Sequence, residues 1–410
     1  MKNTPKNHSF DCMMIQVALA IKLQTSAGFR AIQKILSIYI LHFGLTTKSP
    51  SYATILLWMK KIGYYQLEKK KAKSNDWIII LDESVEFGHD KLLVIYGIRH
   101  KNIDFNRALG YKDLVPFSVI SSDKWTGELI AKEIQKIEKN HGKIIYAVAD
   151  GGNSIKKALR LAKIPHIYDI THKFAWFLKE IYKPEEGFQS YIKKMAKMRG
   201  ALSLTNVSHV LPPNQRFHSR YMNLDIISDW GLKTLNYLST KKCNNREYEE
   251  LKWVEKYNGL IKELAQVNTV LSEIKALLKT KALSLRNINK AKKILANMKI
   301  DSLRTRRLKT GIAGFLDEQI ALVAKKNKII CTSDIIESAF GKYKNYISNN
   351  PMVGITNLAL SMAAFTSELS IEDIKLTLEN VKTKDIKLWS QTNIGETNLQ
   401  RRMRVLKKVG

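Results

Sequence analysis

Cysteine is scarce in this chain of 410 residues: there are three, Cys12, Cys243 and Cys331, and they lie far apart in the sequence. That spacing excludes a zinc ribbon, and the odd count argues against a disulfide framework, so a reduced compartment is expected. No uncharged apolar run reaches the ~18 residues that a membrane-spanning helix needs. The start, MKNTPKNHSFDCMM, has no basic stretch followed by an uninterrupted apolar one, so no secretory signal is read there. The expected location is cytoplasmic and nucleoid-associated, with no membrane partner. Acidic residues are also few: 37 Asp and Glu stand against 68 Lys and Arg, a net charge of +31. An ordinary metabolic enzyme with a small-molecule substrate is therefore not the default. A surplus of this size needs an anionic partner, and nucleic acid is the commonest. What the chain does have is a hydrophobic content of 45%, ample for a packed core and too much for a disordered basic tail. Its length suits two or three domains, and no internal repeat is found.

Residues 9–70 read as helical, with an apolar stripe of Met14, Val17, Ala18, Ile21 and Leu23 and a second of Phe29, Ile32, Ile35, Leu36 and Tyr39. Ser26 is the expected cap of the second helix. Phe43 to Pro50 breaks the pattern, and Ser51 to Ile62 starts a further helix with Gly63 just beyond its end. This reads as a helix-turn-helix presenting Ser51, Tyr52, Thr54, Lys60 and Lys61 to DNA; the alternative is a three-helix bundle that only packs. The texture then turns to strands: Trp77 to Leu81, Leu92 to Ile98, Leu114 to Ile120, Ile144 to Val148 and roughly Ile164 to Ile170. Helical patterns at Thr126 to Glu138 and Asn153 to Ala162 make this a mixed sheet of the α/β class.

The strand signal is lost over residues 184–328. Within it Leu260, Leu264, Val267, Leu271, Ile274 and Leu278 alternate steps of four and three, a heptad stripe for packing inside the chain or between copies. Helix signals return at Ser333 to Tyr346 and Ile355 to Leu369, and the last forty residues read as a weakly ordered basic tail with Arg401, Arg402, Arg404, Lys407 and Lys408. The expected domains are thus a helical DNA-binding domain over 1–73, a first core segment over 74–183, an all-helical insertion over 184–328, a last core segment over 329–370 and the tail over 371–410.

Two acids stand at expected strand ends, Asp82 after the first strand and Asp150 after the fourth, the latter followed by Gly151-Gly152-Asn153. Such positions pair a rigid backbone with a side chain facing a crevice. Adjacent strands bring both carboxylates within reach of one divalent cation, and carboxylates without thiolate or paired imidazole select Mg²⁺ or Mn²⁺. Taken singly, Asp150 caps a helix and Asp82 begins a turn. The third carboxylate sought is Glu337, in Thr332-Ser333-Asp334-Ile335-Ile336-Glu337-Ser338-Ala339-Phe340-Gly341-Lys342-Tyr343-Lys344, where Lys342 and Lys344 follow at phosphate-meeting positions and Asp334 competes for the role.

An N-terminal helix-turn-helix, Asp82, Asp150-Gly151-Gly152 and Glu337 in a late helix together resemble a DDE transposase of the RNase H-like (retroviral integrase) superfamily, bacterial insertion-sequence type. The segment TSDIIESAFGKYK resembles the glutamate-bearing helix of such transposases, and the block between Asp150 and Glu337 is similar to their all-α insertion domain. The resemblance covers residues 26–369. It implies an RNase H-like core and Asp82, Asp150 and Glu337 as catalytic ligands of two Mg²⁺ or Mn²⁺ ions. It further implies hydrolysis at element ends, transfer of the 3′-hydroxyls into target DNA, and a homodimer or higher oligomer on DNA. A structure-specific RNase H-like nuclease and an inactive, domesticated DNA-binding relic are the alternatives.

Three further features stay open on sequence. His172, after the fifth strand, either touches the scissile phosphate or is a satisfied structural histidine, and Asp169 is a second acid or only a cap. Trp230, or else Trp253, would stack on a flipped base, against the plainer reading of a core tryptophan. Arg304, Arg306, Arg307 and Lys309 either track phosphates or form a solvated helix face.

Overall fold

The computed structural model describes residues 3–45, 47–85, 90–214, 220–240, 243–323, 327–347 and 354–407; Lys408 of the expected tail lies outside them. The chain divides into two compact units, one of Met1–Asp104, Leu109–Ile167 and Ser333–Gly410, the other of Phe105–Ala108 and Tyr168–Thr332. Among the described residues no helix is long and apolar enough to cross a membrane.

In the first unit, three helices, α1 (Cys12–Gln24), α2 (Phe29–His42) and α3 (Tyr52–Glu68), precede the sheet strands β1 (Trp77–Val85), β2 (Lys91–Arg99) and β3 (Val115–Ser122). Then come α4 (Gly127–His141), β4 (Ile144–Ala149), α5 (Asn153–Leu161) and β5 (His166–Tyr168). Strand order is β3-β2-β1-β4-β5, with β2 antiparallel to β1 and β3, and β4 parallel to β1. The sheet is mixed: a meander of three strands, then a parallel crossover through α4. The centre is apolar on both faces, as a strand covered by helices on both sides must be. Trp77, Ile79 and Leu81 of β1 pack with Ile130, Ile134 and Ile137 of α4 and Ile155 of α5. Alternation turns Ile78 and Ile80 to the opposite face, where Tyr96, the partner of Ile80, donates its hydroxyl to the Met362 carbonyl at 2.8 Å.

The second unit is helical: α6 (Ile170–Tyr182), α7 (Glu186–Leu202), α8 (Leu224–Ser239), α9 (Asn245–Leu251), α10 (Asn258–Lys281), α11 (Leu285–Ala296) and α12 (Leu303–Val323). The heptad stripe falls on α10, whose Leu264, Val267, Leu271, Ile274 and Leu278 are buried within this unit, so the stripe packs inside the chain. Arg304 forks onto Glu263 at 2.8 and 3.1 Å and reaches Glu185 at 2.9 Å, while Tyr182 donates to Glu263 at 2.9 Å. The Lys309 ammonium is taken by the carbonyls of Ala296 and Met298, at 2.7 and 3.1 Å. Arg304 and Lys309 thus hold helices together, leaving Arg306 and Arg307 exposed. Arg304→Met is expected to destabilise this unit by about 2 kcal/mol, because the half-buried Glu263 loses its partner. An unchanged thermal or urea midpoint would remove the network from the account.

The chain then returns to the first unit with α13 (Asp334–Ile347), α14 (Leu360–Ala364), α15 (Ile371–Asn380), α16 (Thr383–Asn393) and α17 (Asn398–Leu406). Two expectations are corrected here. Residues 371–407 are not a loose tail: Ser370 and Thr397 cap α15 and α17, and Ile374, Leu378, Ile386 and Trp389 are buried, with α15 against α1 and α3. Nor does Gly63 end a helix. It lies inside α3, where α14 crosses so closely that a Cβ would stand 2.0 Å from the Leu360 carbonyl oxygen. α3 is therefore the packed axis of the helical layer.

Candidate active site

Asp82 is not beyond β1 but its sixth residue, and Asp150 directly follows β4. Parallel pairing runs through Ile80 opposite Val148, and each aspartate stands two residues further along its strand. The register therefore sets the two side by side, on strands about 4.8 Å apart. Alternation also fixes the face. Ile79, Leu81, Ala147 and Ala149 pack toward α4 and α5, so Asp82 and Asp150 share the opposite side. Each is pre-set by the backbone: an Asp82 carboxylate oxygen accepts the Glu83 amide at 2.8 Å, and one of Asp150 accepts the Gly152 amide at 2.9 Å. The second bond is a tight aspartate turn that leads into α5.

Glu337 lies in the first turn of α13, a helix packed against β1 through a face of Ile336, Ala339, Phe340, Tyr343 and Ile347. Glu337 itself is half-buried. Among the described residues no three of His, Cys, Asp and Glu converge closely enough to hold an ion. The sheet builds the carboxylate pair, and the third carboxylate rides on a separate helix. The donor set still suits a hard divalent cation: carboxylates with no thiolate or paired imidazole. Like charges drawn together without a cation would repel one another.

Sequence reasoning missed His166. It sits on β5 next to the end of β4, with Nε2 3.4 Å from the Ala149 carbonyl oxygen. Burial lowers its pKa below the usual histidine value, and the hydrogen bond to Ala149 and the charge of Asp150 act in the other direction. Its only signal in the sequence was a polar residue in a short apolar strand.

The other expected site residues divide. Ser51 caps α3, accepting the Thr54 amide at 3.2 Å, and Thr54 pairs with the Ser51 hydroxyl at 2.9 Å. Tyr52 is 40% exposed, with the Arg30 guanidinium 4.5 Å from its ring centre. On α3, Lys60 is half-buried and Lys61 is drawn inward. Lys61 is buried and donates to the Leu378 carbonyl at 3.4 Å, and burial depresses both ammonium pKa values. They lie on α3, against which the C-terminal helices α14, α15 and α16 pack. Lys342 is likewise drawn inward, donating to the Leu23 carbonyl at 3.2 Å with its ammonium 4.7 and 5.3 Å from the Tyr111 and Phe365 rings. Lys344 is exposed. Among the described residues of 12–67 the exposed Lys and Arg are Arg30, Lys34 and Lys48, and that stretch contains no acid.

In the helical unit, Asp169 is a cap: it is fully buried and accepts the Thr171 and His172 amides at 2.7 and 2.9 Å. His172 is half-buried on the first turn of α6. Trp230 is packed rather than presented, bonded to the Val210 carbonyl at 3.3 Å and lying with Trp253 against Met198, Leu202 and Leu238. Trp176 is more open, 48% exposed, with the Lys173 ammonium 4.5 Å from its ring centre.

No family model matches the sequence, and no curated protein does. Among solved structures the chain is similar to the Drosophila P element transposase strand transfer complex, at 12% identity over 89% of this chain and 94% of that one, with a TM-score of 0.41.

Proposed function

We propose that the chain is a DNA transposase that cuts element ends and joins their 3′-hydroxyls to target DNA, working as a dimer or larger assembly. One observation carries the reading: β1 pairs parallel with β4 through Ile80 opposite Val148, and continuing both chains two residues along the same face sets Asp82 beside Asp150 in what we read as an RNase H-like sheet. Asp82, Asp150 and Glu337 would hold two Mg²⁺ or Mn²⁺ ions, which when bound supply an activated hydroxyl and stabilise the leaving 3′-oxygen. The chain's own part is positional. The Glu83 and Gly152 amides fix the two aspartates, and the backbone after β4 stays rigid while DNA is brought to it. Duplex DNA is held by the charge of +31, and in the N-terminal layer by Arg30, Lys34, Lys48, Ser51 and Tyr52 rather than by Lys60 and Lys61.

The test is an incubation of the purified chain with labelled DNA from the flanks of its own gene, in Mn²⁺ or in EDTA. Nicking at a repeat end in Mn²⁺ alone, with joined products, is expected. Cleavage without joining would make the chain a nuclease, and salt-sensitive binding without cleavage would make it a DNA-binding relic.

A further inference from the structure

The helix that carries Glu337 is held along one stripe by groups that take no part in the chemistry above. Ser338, Lys342 and Tyr346 recur every fourth residue of α13 and so share one side of it. Tyr346 donates its hydroxyl to the Lys22 carbonyl at 3.0 Å, and Lys342 donates to the Leu23 carbonyl at 3.2 Å. Both carbonyls belong to the last turn of α1, where a helix has no partners of its own to offer them. Lys22 closes the contact from the other direction. Lys22 as a residue is 1% exposed, and its ammonium donates to the Ala27 carbonyl at 2.9 Å and stands 3.4 Å from the Tyr346 ring centre and 4.6 Å from that of Phe29. Beside Glu337, Tyr111 donates to the Ser338 hydroxyl at 2.9 Å, and its ring stacks on Phe365.

We propose that this cradle at the end of α1 sets the rotation and depth of α13, with Lys342 and Tyr346 as positioning residues for the Glu337 carboxylate. The inference rests on the reading of Glu337 as the third metal ligand. A carboxylate stands roughly 6 Å from its helix axis, so a turn of about 10° displaces it by about 1 Å, an error that costs on the order of 10²-fold in a catalytic arrangement. Groups that orient metal ligands typically change affinity by ~10–100-fold when removed.

The experiment titrates Mn²⁺ into the full chain without DNA, following free Mn²⁺ by electron paramagnetic resonance. The chains compared are wild type, Lys342→Met, Tyr346→Phe, Asp150→Ala and Ile134→Val. Both cradle variants are expected to bind Mn²⁺ about 10-fold more weakly while keeping the wild-type circular dichroism spectrum. Ile134→Val, a loss of packing under the sheet, is expected to lower the melting temperature without changing Mn²⁺ affinity, which separates positioning from general destabilisation. Wild-type affinity in both cradle variants, with Asp150→Ala impaired, overturns the cradle alone. Equal affinity in wild type and Asp150→Ala overturns the metal-site reading and the cradle with it.

Discussion

Asp150→Asn is expected to abolish Mn²⁺-dependent cleavage, by about 10³-fold or more, while the chain still folds and still shifts DNA in a gel. The substitution keeps an oxygen to accept the Gly152 amide, so the turn after β4 survives, and it removes only the negative charge. A loss of that size corresponds to roughly 4 kcal/mol of transition-state stabilisation, within what a metal-holding carboxylate supplies. Asp150→Ala adds the loss of the turn bond, about 1 kcal/mol of stability, and should be no more defective in cleavage than the asparagine variant. Asp82→Asn and Glu337→Gln are expected to fail in the same way. DNA binding is expected to be spared in all of them, because the cations to which the proposed function assigns the duplex lie elsewhere and removing a carboxylate from a chain of charge +31 only raises its attraction for phosphate. Wild-type cleavage by Asp150→Asn would sink the active-site assignment. Loss of cleavage only in Asp150→Ala would reduce the aspartate to a turn residue.

The sheet was legible because buried strands announce themselves. Trp77 to Leu81 and Ile144 to Val148 are short, β-branched and apolar, and α4 before the second carries a clean apolar face with Thr126 as its cap. From that order came the expectation of two aspartates on adjacent strands. Less visible was everything that depends on which surface a helix meets. Lys60 and Lys61 look like a basic face in sequence, and the docking of the C-terminal helices on α3 buries Lys61 against the Leu378 carbonyl and leaves Lys60 half-buried. The docking itself was hidden because Ile374, Leu378, Ile386 and Trp389 are spread among charged residues that mask the stripe. Trp230 and Trp176 illustrate the same limit: both sit on helices, and no local pattern says which one the other helices cover. Lys342, placed two residues before Lys344, is claimed by carbonyl and ring partners more than two hundred residues away in the chain.

Gly63 gives the sharpest disagreement between local propensity and tertiary packing, and so a second large effect. Inside a helix, replacing glycine by alanine ordinarily stabilises by up to about 1 kcal/mol. At Gly63 the sign should reverse. The added methyl would lie 2.0 Å from the Leu360 carbonyl oxygen and 2.7 Å from its carbon, against backbone rather than the end of a flexible side chain. α14 has little room to retreat: Leu360 through Ala364 are all buried, and the Met362 carbonyl is tied to the Tyr96 hydroxyl on β2. Overpacking against such a wall typically costs 1–3 kcal/mol and occasionally more, and the short distance places this site near the top, at about 3 kcal/mol. For a unit of this size that is a fall in melting temperature of roughly 10 °C. Gly314→Ala supplies the opposing control, since Gly314 is an exposed mid-helix residue of α12 with no atom within 4 Å of its added methyl. It should gain up to about 1 kcal/mol by propensity alone. If both substitutions raise the melting temperature, α3 and α14 do not cross at Gly63. If Gly63→Ala falls while Gly314→Ala rises, the glycine that local pattern reads as a stop signal is the seat on which the C-terminal helices meet the N-terminal layer.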